Sequence, residues 1–272
     1  MRYRLARFWF LALTGLAAAP AAAPAQAPLF AYAPGTQHYR LTTSVHRNQI
    51  QGGGRAPFEF DATTTQLITL AIERQSADTL RLTITIDSVA VSSTLDAPMP
   101  NTNRFVGTKI TGLISPTGQI YAFDPPAGNT DPQLAALYAA FRRFLVSFPP
   151  RPLTVGTSWA DTTIDHVQRN GFDVAIRNIG TTTVAGDTTV NGTRAWRIVR
   201  HAEIAQQGEK NENGYPIQLL GEGTVNGVHL VSSTGVYLGS QSTQRFNLTM
   251  TMKDSEGAPI NETIKSTVER VQ

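Results

Sequence analysis

Residues 80–87, "LRLTITID", alternate apolar and polar side chains without a break. Only extended backbone sends successive side chains to opposite faces, so this period of two demands a strand with one buried and one wet face. Leu80, Leu82, Ile84 and Ile86 share the apolar side. "RFNLTMTMK" (245–253) repeats the pattern with Phe246, Leu248, Met250 and Met252, and "AWRIVRHAEI" (195–204) with Trp196, Ile198, Ala202 and Ile204. Thr, Val and Ile dominate between Gly-, Pro- and Asn-rich breaks, as in antiparallel sheets. The sequence therefore predicts a mainly β protein.

One phrase occurs twice. "LISPTG" (113–118) and "LVSSTG" (230–235) each leave an apolar pair, turn at Ser-x-Thr-Gly and continue as "QIYAF" or "VYLGS". Gly118 and Gly235 supply the positive φ of a tight hairpin. "PGTQHY" at 34 and "VGTSWA" at 155 add a second echo. These repeats predict one β-rich domain, 26–272, as a strongly curved antiparallel sheet: a half-barrel, or two related halves, 34–124 and 154–271. A helix over 131–148 joins them. Asp131 is its N-cap, Pro132 its first residue, and Pro149-Pro150 its stop. Leu134, Leu137, Tyr138, Phe141, Leu145 and Phe148 form its apolar face, and at ~1.5 Å per residue it covers the concave side of the sheet. The segments 51–57, 96–103 and 124–132 read as loops, and "QQGEKNENGYP" (206–216) as a mobile hairpin tip.

The first residues carry Arg2, Arg4 and Arg7, then an apolar run from Phe8 to Ala19 and a small-residue tail. This is the layout of a secretory signal (1–25), cut after Ala25 or Ala27. The run is well short of the ~20 residues of a spanning helix. The full chain has 23 Lys plus Arg against 20 Asp plus Glu. Loss of three arginines leaves the mature protein balanced, which argues against a nucleic-acid partner. There is no cysteine, hence no disulfide and no lipid-bearing N-terminal Cys. The expected location is periplasmic or extracellular, and the mature chain is expected not to span a membrane.

Catalytic patterns are missing. His38, His46, His166, His201 and His229 show no metal-binding spacing and are expected on wet strand faces, with no metal and no cofactor. Gly-x-Ser-x-Gly is absent; Ser158 beside Asp161 reads as a strand start with Trp159 inward. Asp87, Asp165, Asp173 and Glu203 could supply a carboxylate pair only if folding joined two of them. Arg200 shares parity with Trp196 and Ile198, which places a charge in an apolar stripe. It either reaches water along its stem or receives an anionic head group inside an apolar cavity.

"KITGLISPTGQIYAF" and "FRRFLVSFPPRPLTVGTSWADTT" resemble segments of exported bacterial proteins of unknown function, in which a Pro-rich, Gly and Trp stretch follows a mid-chain helix. In shape, the expected architecture is similar to the half-barrels of LolA-type and LppX-type carriers. That second resemblance implies an apolar ligand. The expectation is thus a non-enzymatic, soluble periplasmic protein binding a lipid-like molecule through Tyr138, Phe141, Leu145, Arg200, Met250 and Met252. The alternative is an envelope adaptor that binds another protein through a sheet edge.

Overall fold

A computed structural model describes residues 29–50, 57–95, 102–123, 125, 132–169, 171–212, 214–252 and 257–271. The expected signal, 1–25, and residues 51–56, 96–101, 124 and 126–131 of the expected loops lie outside the described residues. Among these residues eleven strands, one α-helix and a short 3-10 turn (Asn103–Phe105, between β3 and β4) occur, in the order β1 (Gly35–Gln49), β2 (Phe58–Arg74), β3 (Leu80–Ser93), β4 (Lys109–Ile114), β5 (Ile120–Ala122), α1 (Pro132–Phe141), β6 (Ser158–Arg169), β7 (Phe172–Val190), β8 (Thr193–Glu212), β9 (Tyr215–Ser232), β10 (Tyr237–Met252) and β11 (Ala258–Val271). All pairings are antiparallel, in one sheet ordered β5-β4-β3-β2-β1-β11-β10-β9-β8-β7-β6.

The expected alternation holds. Leu80, Leu82, Ile84 and Ile86 are buried while Arg81 and Asp87 are exposed; Phe246 and Leu248 are buried between exposed Arg245 and Asn247. The sheet curls until residues of β2–β4 and β7–β10 share one core cluster with α1 and the chain after it. A smaller cluster, built by Phe172, Val174, Ile204, Leu219, Phe246 and Leu248, occupies the other end of β7–β10.

Two expectations about the fold are corrected, while the expected halves form one sheet, which β1 makes continuous by pairing with β11 over twelve residues. No long central helix covers it: α1 is ten residues and stops at Phe141. Beyond Phe141, alternate residues are buried (Phe144, Val146, Phe148), so this stretch follows the extended period rather than the helical one. Tertiary bonds fix it there: the Tyr32 hydroxyl donates to the Val146 carbonyl at 2.9 Å and the Phe148 N–H donates to the Thr117 carbonyl at 2.8 Å. Phe144 packs its ring against Tyr39 and Tyr237, with centroids 5.5 and 5.2 Å away. Such pairs add ~0.5–1.5 kcal/mol each beyond burial. Finally, most of the expected mobile tip is strand, since β8 runs to Glu212 and β9 resumes at Tyr215.

The repeated phrase forms two matching turns. In one, the Gly118 N–H donates to the Ser115 carbonyl, and Ser115 Oγ accepts from the Gln119 N–H and meets Thr117 Oγ1, each at 2.9 Å. In the other, Ser232, Thr234, Gly235 and Val236 make the same three bonds at 2.9–3.0 Å. Gly118 and Gly235 have φ of 86° and 84°. The N-terminal segment runs between the two turns: Tyr32 N–H donates to the Pro116 carbonyl and Ala33 N–H to the Gly235 carbonyl. The phrase is therefore a clasp, used once on each side of the segment 30–33.

Candidate functional site

Between the two apolar clusters, strand parity turns a set of polar side chains inward. β6 supplies Asp161, Thr163 and Asp165; β7 supplies Asn178; β8 supplies Arg200; β9 supplies His229. Arg200 Nε donates to Asp161 Oδ2 at 2.5 Å, and its Nη2 to Asn178 Oδ1 at 3.3 Å. Arg143, just after α1, binds Asp165 and Thr163. With the Asn178 amide swapped, its oxygen accepts from Arg143 instead of from Arg200. Burial lowers the Arg143 pKa, and Asp165 opposes that shift. Burial and then Arg200 push His229 down to about 4, against the pull of Asp161. Its Nδ1 lies 3.3 Å from the Tyr237 hydroxyl. Every charge in this belt has an opposite partner, and its chemistry is cohesion across the seam between the sheet edge and the α1 segment.

The residues expected to bind a ligand are not brought together. Tyr138 and Phe141 are buried in the larger cluster and Leu145 packs on it, whereas Met250 packs on the smaller one. The Met252 side chain lies outside the described residues. Arg200 is neither reaching for water nor open to a head group; it is 12% exposed and ion-paired. Among the candidate carboxylates, Asp165 faces inward while Asp87, Asp173 and Glu203 are exposed on the outward face, so no catalytic pair forms. Four histidines sit on the outward face as expected; His229 does not. Among the described residues no cluster of His, Asp and Glu is arranged to hold a metal ion.

The outward face carries the concavities. Its register rows read Arg40–Glu269–Gly239–Leu230–Arg197, then Thr42–Thr267–Gln241–Val228–Val199, then Ser44–Lys265–Thr243–Asn226–His201. Over the first two rows lies a depression of about 920 Å³, walled by the β7–β8 hairpin tip through Thr188, Val190 and Thr193. A bulge between Tyr237 and Gly239 and the missing side chain at Gly239 lower its floor. A second depression of about 410 Å³ reaches Lys265 and Asn226 and shares Val228, Gln241 and Thr267 with the first, so the two form one groove. Sequence reasoning missed it, because its lining comes from six strands and shows in no local pattern. Arg40, Arg197 and Lys265 face it without a hydrogen-bond or ion-pair partner among the described residues.

No protein-family model and no curated protein matches the chain. Among solved structures, it is similar to the COG4313 outer membrane channel from Pseudomonas putida F1 (9% identity, 89% of this chain and 98% of that one, TM-score 0.22). It is also similar to Pseudomonas aeruginosa OpdQ (10%, 87% and 98%, TM-score 0.25) and to a BenF-like porin from Pseudomonas fluorescens Pf-5 (8%, 87% and 99%, TM-score 0.23). At such TM-scores the likeness does not extend to the overall shape.

These findings correct the expected function. The face under α1 is a packed core, so a soluble carrier holding a lipid-like molecule there is overturned. For the edge-binding adaptor, one sheet edge is β5, three residues long, and the other is β6, whose side chains meet the α1 segment through Arg143 and through Trp159 Nε1, which donates to the Ser147 carbonyl at 3.0 Å. The expectation that the mature chain does not span a membrane rested on helices alone: no described helix is long and apolar enough to cross, a criterion that says nothing of strands.

Proposed function

We propose that the protein is a non-catalytic ligand-binding protein of the cell envelope whose working surface is the outward groove over β8–β11 and β1, and that this groove takes an anionic molecule. The observation that carries the reading is the state of its cations. Arg40, Arg197 and Lys265 lack partners and face one groove against a single carboxylate, Glu269. A guanidinium fork pairs with carboxylates bidentately, and concave polar surroundings strengthen such contacts. The outward rows place Arg, Lys, Glu, Thr and Asn where a lipid-facing strand carries an apolar band, which makes this face a surface for polar ligands.

The test is titration calorimetry of the mature chain with citrate at low and high salt. Binding that weakens with salt and is lost in Arg197→Ala supports the reading. Binding indifferent to Arg197 and Arg40, or none at any salt, rejects it.

A further inference from the structure

We infer that the anion held by the groove is an extended carboxylated oligosaccharide, lying from Arg197 at the hairpin end to Lys265 in the second depression; this deepens, and rests on, the groove reading above. Arg197 and Lys265 are three strands and two register rows apart. At ~4.8 Å between strands and ~3.4 Å per residue, that is roughly 20 Å along the surface. A small anion reaches one of them, and a chain with repeated charges reaches both.

The floor between the two cations selects the kind of chain. Around the apolar Val228 it offers Gln241, Thr243, Thr267 and Asn226, neutral side chains that both donate and accept hydrogen bonds, with the Asn226 oxygen already 2.8 Å from His201 Nδ1. Ring hydroxyls also do both, so a sugar backbone suits this floor while its carboxylates meet Arg197 and Lys265. A polyphosphate presents only acceptors and leaves the floor's acceptors unused. An acidic peptide needs partners for its backbone amides, and these strands already spend their backbone groups on one another.

Calorimetry on the mature chain with galacturonate, trigalacturonate and octagalacturonate tests this, with octaglutamate as the peptide comparison. Octagalacturonate should bind at least about tenfold more tightly than galacturonate, since the second cation is engaged within one molecule. Lys265→Ala should remove most of that gain and leave galacturonate binding unchanged, whereas Arg197→Ala should weaken both. Equal affinity at all lengths, still dependent on Arg197, overturns the extended ligand and leaves the groove reading intact. Octaglutamate binding as tightly as octagalacturonate overturns the saccharide class. Affinities untouched by Arg197→Ala overturn both readings together.

Discussion

Arginines occur on both faces of this sheet in opposite circumstances. Inside, Arg200 meets Asp161, Arg143 meets Asp165, and Arg47 Nε donates to Glu262 at 2.8 Å. Outside, Arg40 and Arg197 face the groove unpartnered. A charge withdrawn from water must bring its counter-charge or lose the fold, whereas an exposed one costs little and stays available. Residue type alone therefore says nothing about role; the partner does. Arg200, which looks like a ligand-binding residue in its apolar stripe, holds the structure together, and Arg197, three residues earlier and on the opposite face, is free to bind.

The sharpest way to break this comparison is Asp161→Ala. It strands the Arg200 guanidinium in a nearly dry site and should cost about 3 kcal/mol in urea unfolding; an unmoved midpoint would dissolve the distinction between the faces. Arg200→Ala should likewise lower stability, contrary to what a ligand arginine would do. The next effect is on pH. Folded His229 stays neutral down to about pH 4, while in the unfolded chain it takes its proton near its ordinary 6.5. Between these values the unfolded state binds more protons, so stability falls as pH drops from 6.5 to 4, by at most about 3 kcal/mol. His229→Gln should flatten that slope in melts recorded across the window, and an identical slope would place its titration elsewhere. A smaller loss follows from Gly235→Ala. The turn holds φ at 84° and a Cβ there meets the Ala31 carbonyl, so more than about 1 kcal/mol should go. A thermal melt equal to that of the parent chain would show that the clasp yields. Smallest of all is Arg197→Ala, whose stability should stay within about 0.5 kcal/mol while anion binding is lost; a clear drop in melting temperature would mean that the groove arginine is structural after all.

The faces of β3, β8 and β10 were legible because alternation is local and the backbone enforces it. Both hairpins at Gly118 and Gly235 were legible for the same reason. The segment after Phe141 was not. "FRRFLVSF" satisfies helical spacing at Phe141, Leu145 and Phe148 and extended spacing at Phe144, Val146 and Phe148. The choice fell to Tyr32 and Thr117, residues far away in the chain. His229 shares its strand with polar neighbours such as Asn226, so a wet face was the natural reading; its inward parity follows from the run Ile217, Leu219 and Val225.

By itself the sequence determined that this chain must form long antiparallel strands with one apolar face, two glycine hairpins, no disulfide and no thiol chemistry. Those properties depend on neighbours within a few residues. Only the tertiary structure decided that the strands make one continuous sheet, that Asp161 waits for Arg200, and that Arg197 and Lys265 share a groove. Such pairings join residues 39 or more positions apart through the register of intervening strands, and a one-residue slip in any of them would turn the side chains to the opposite face.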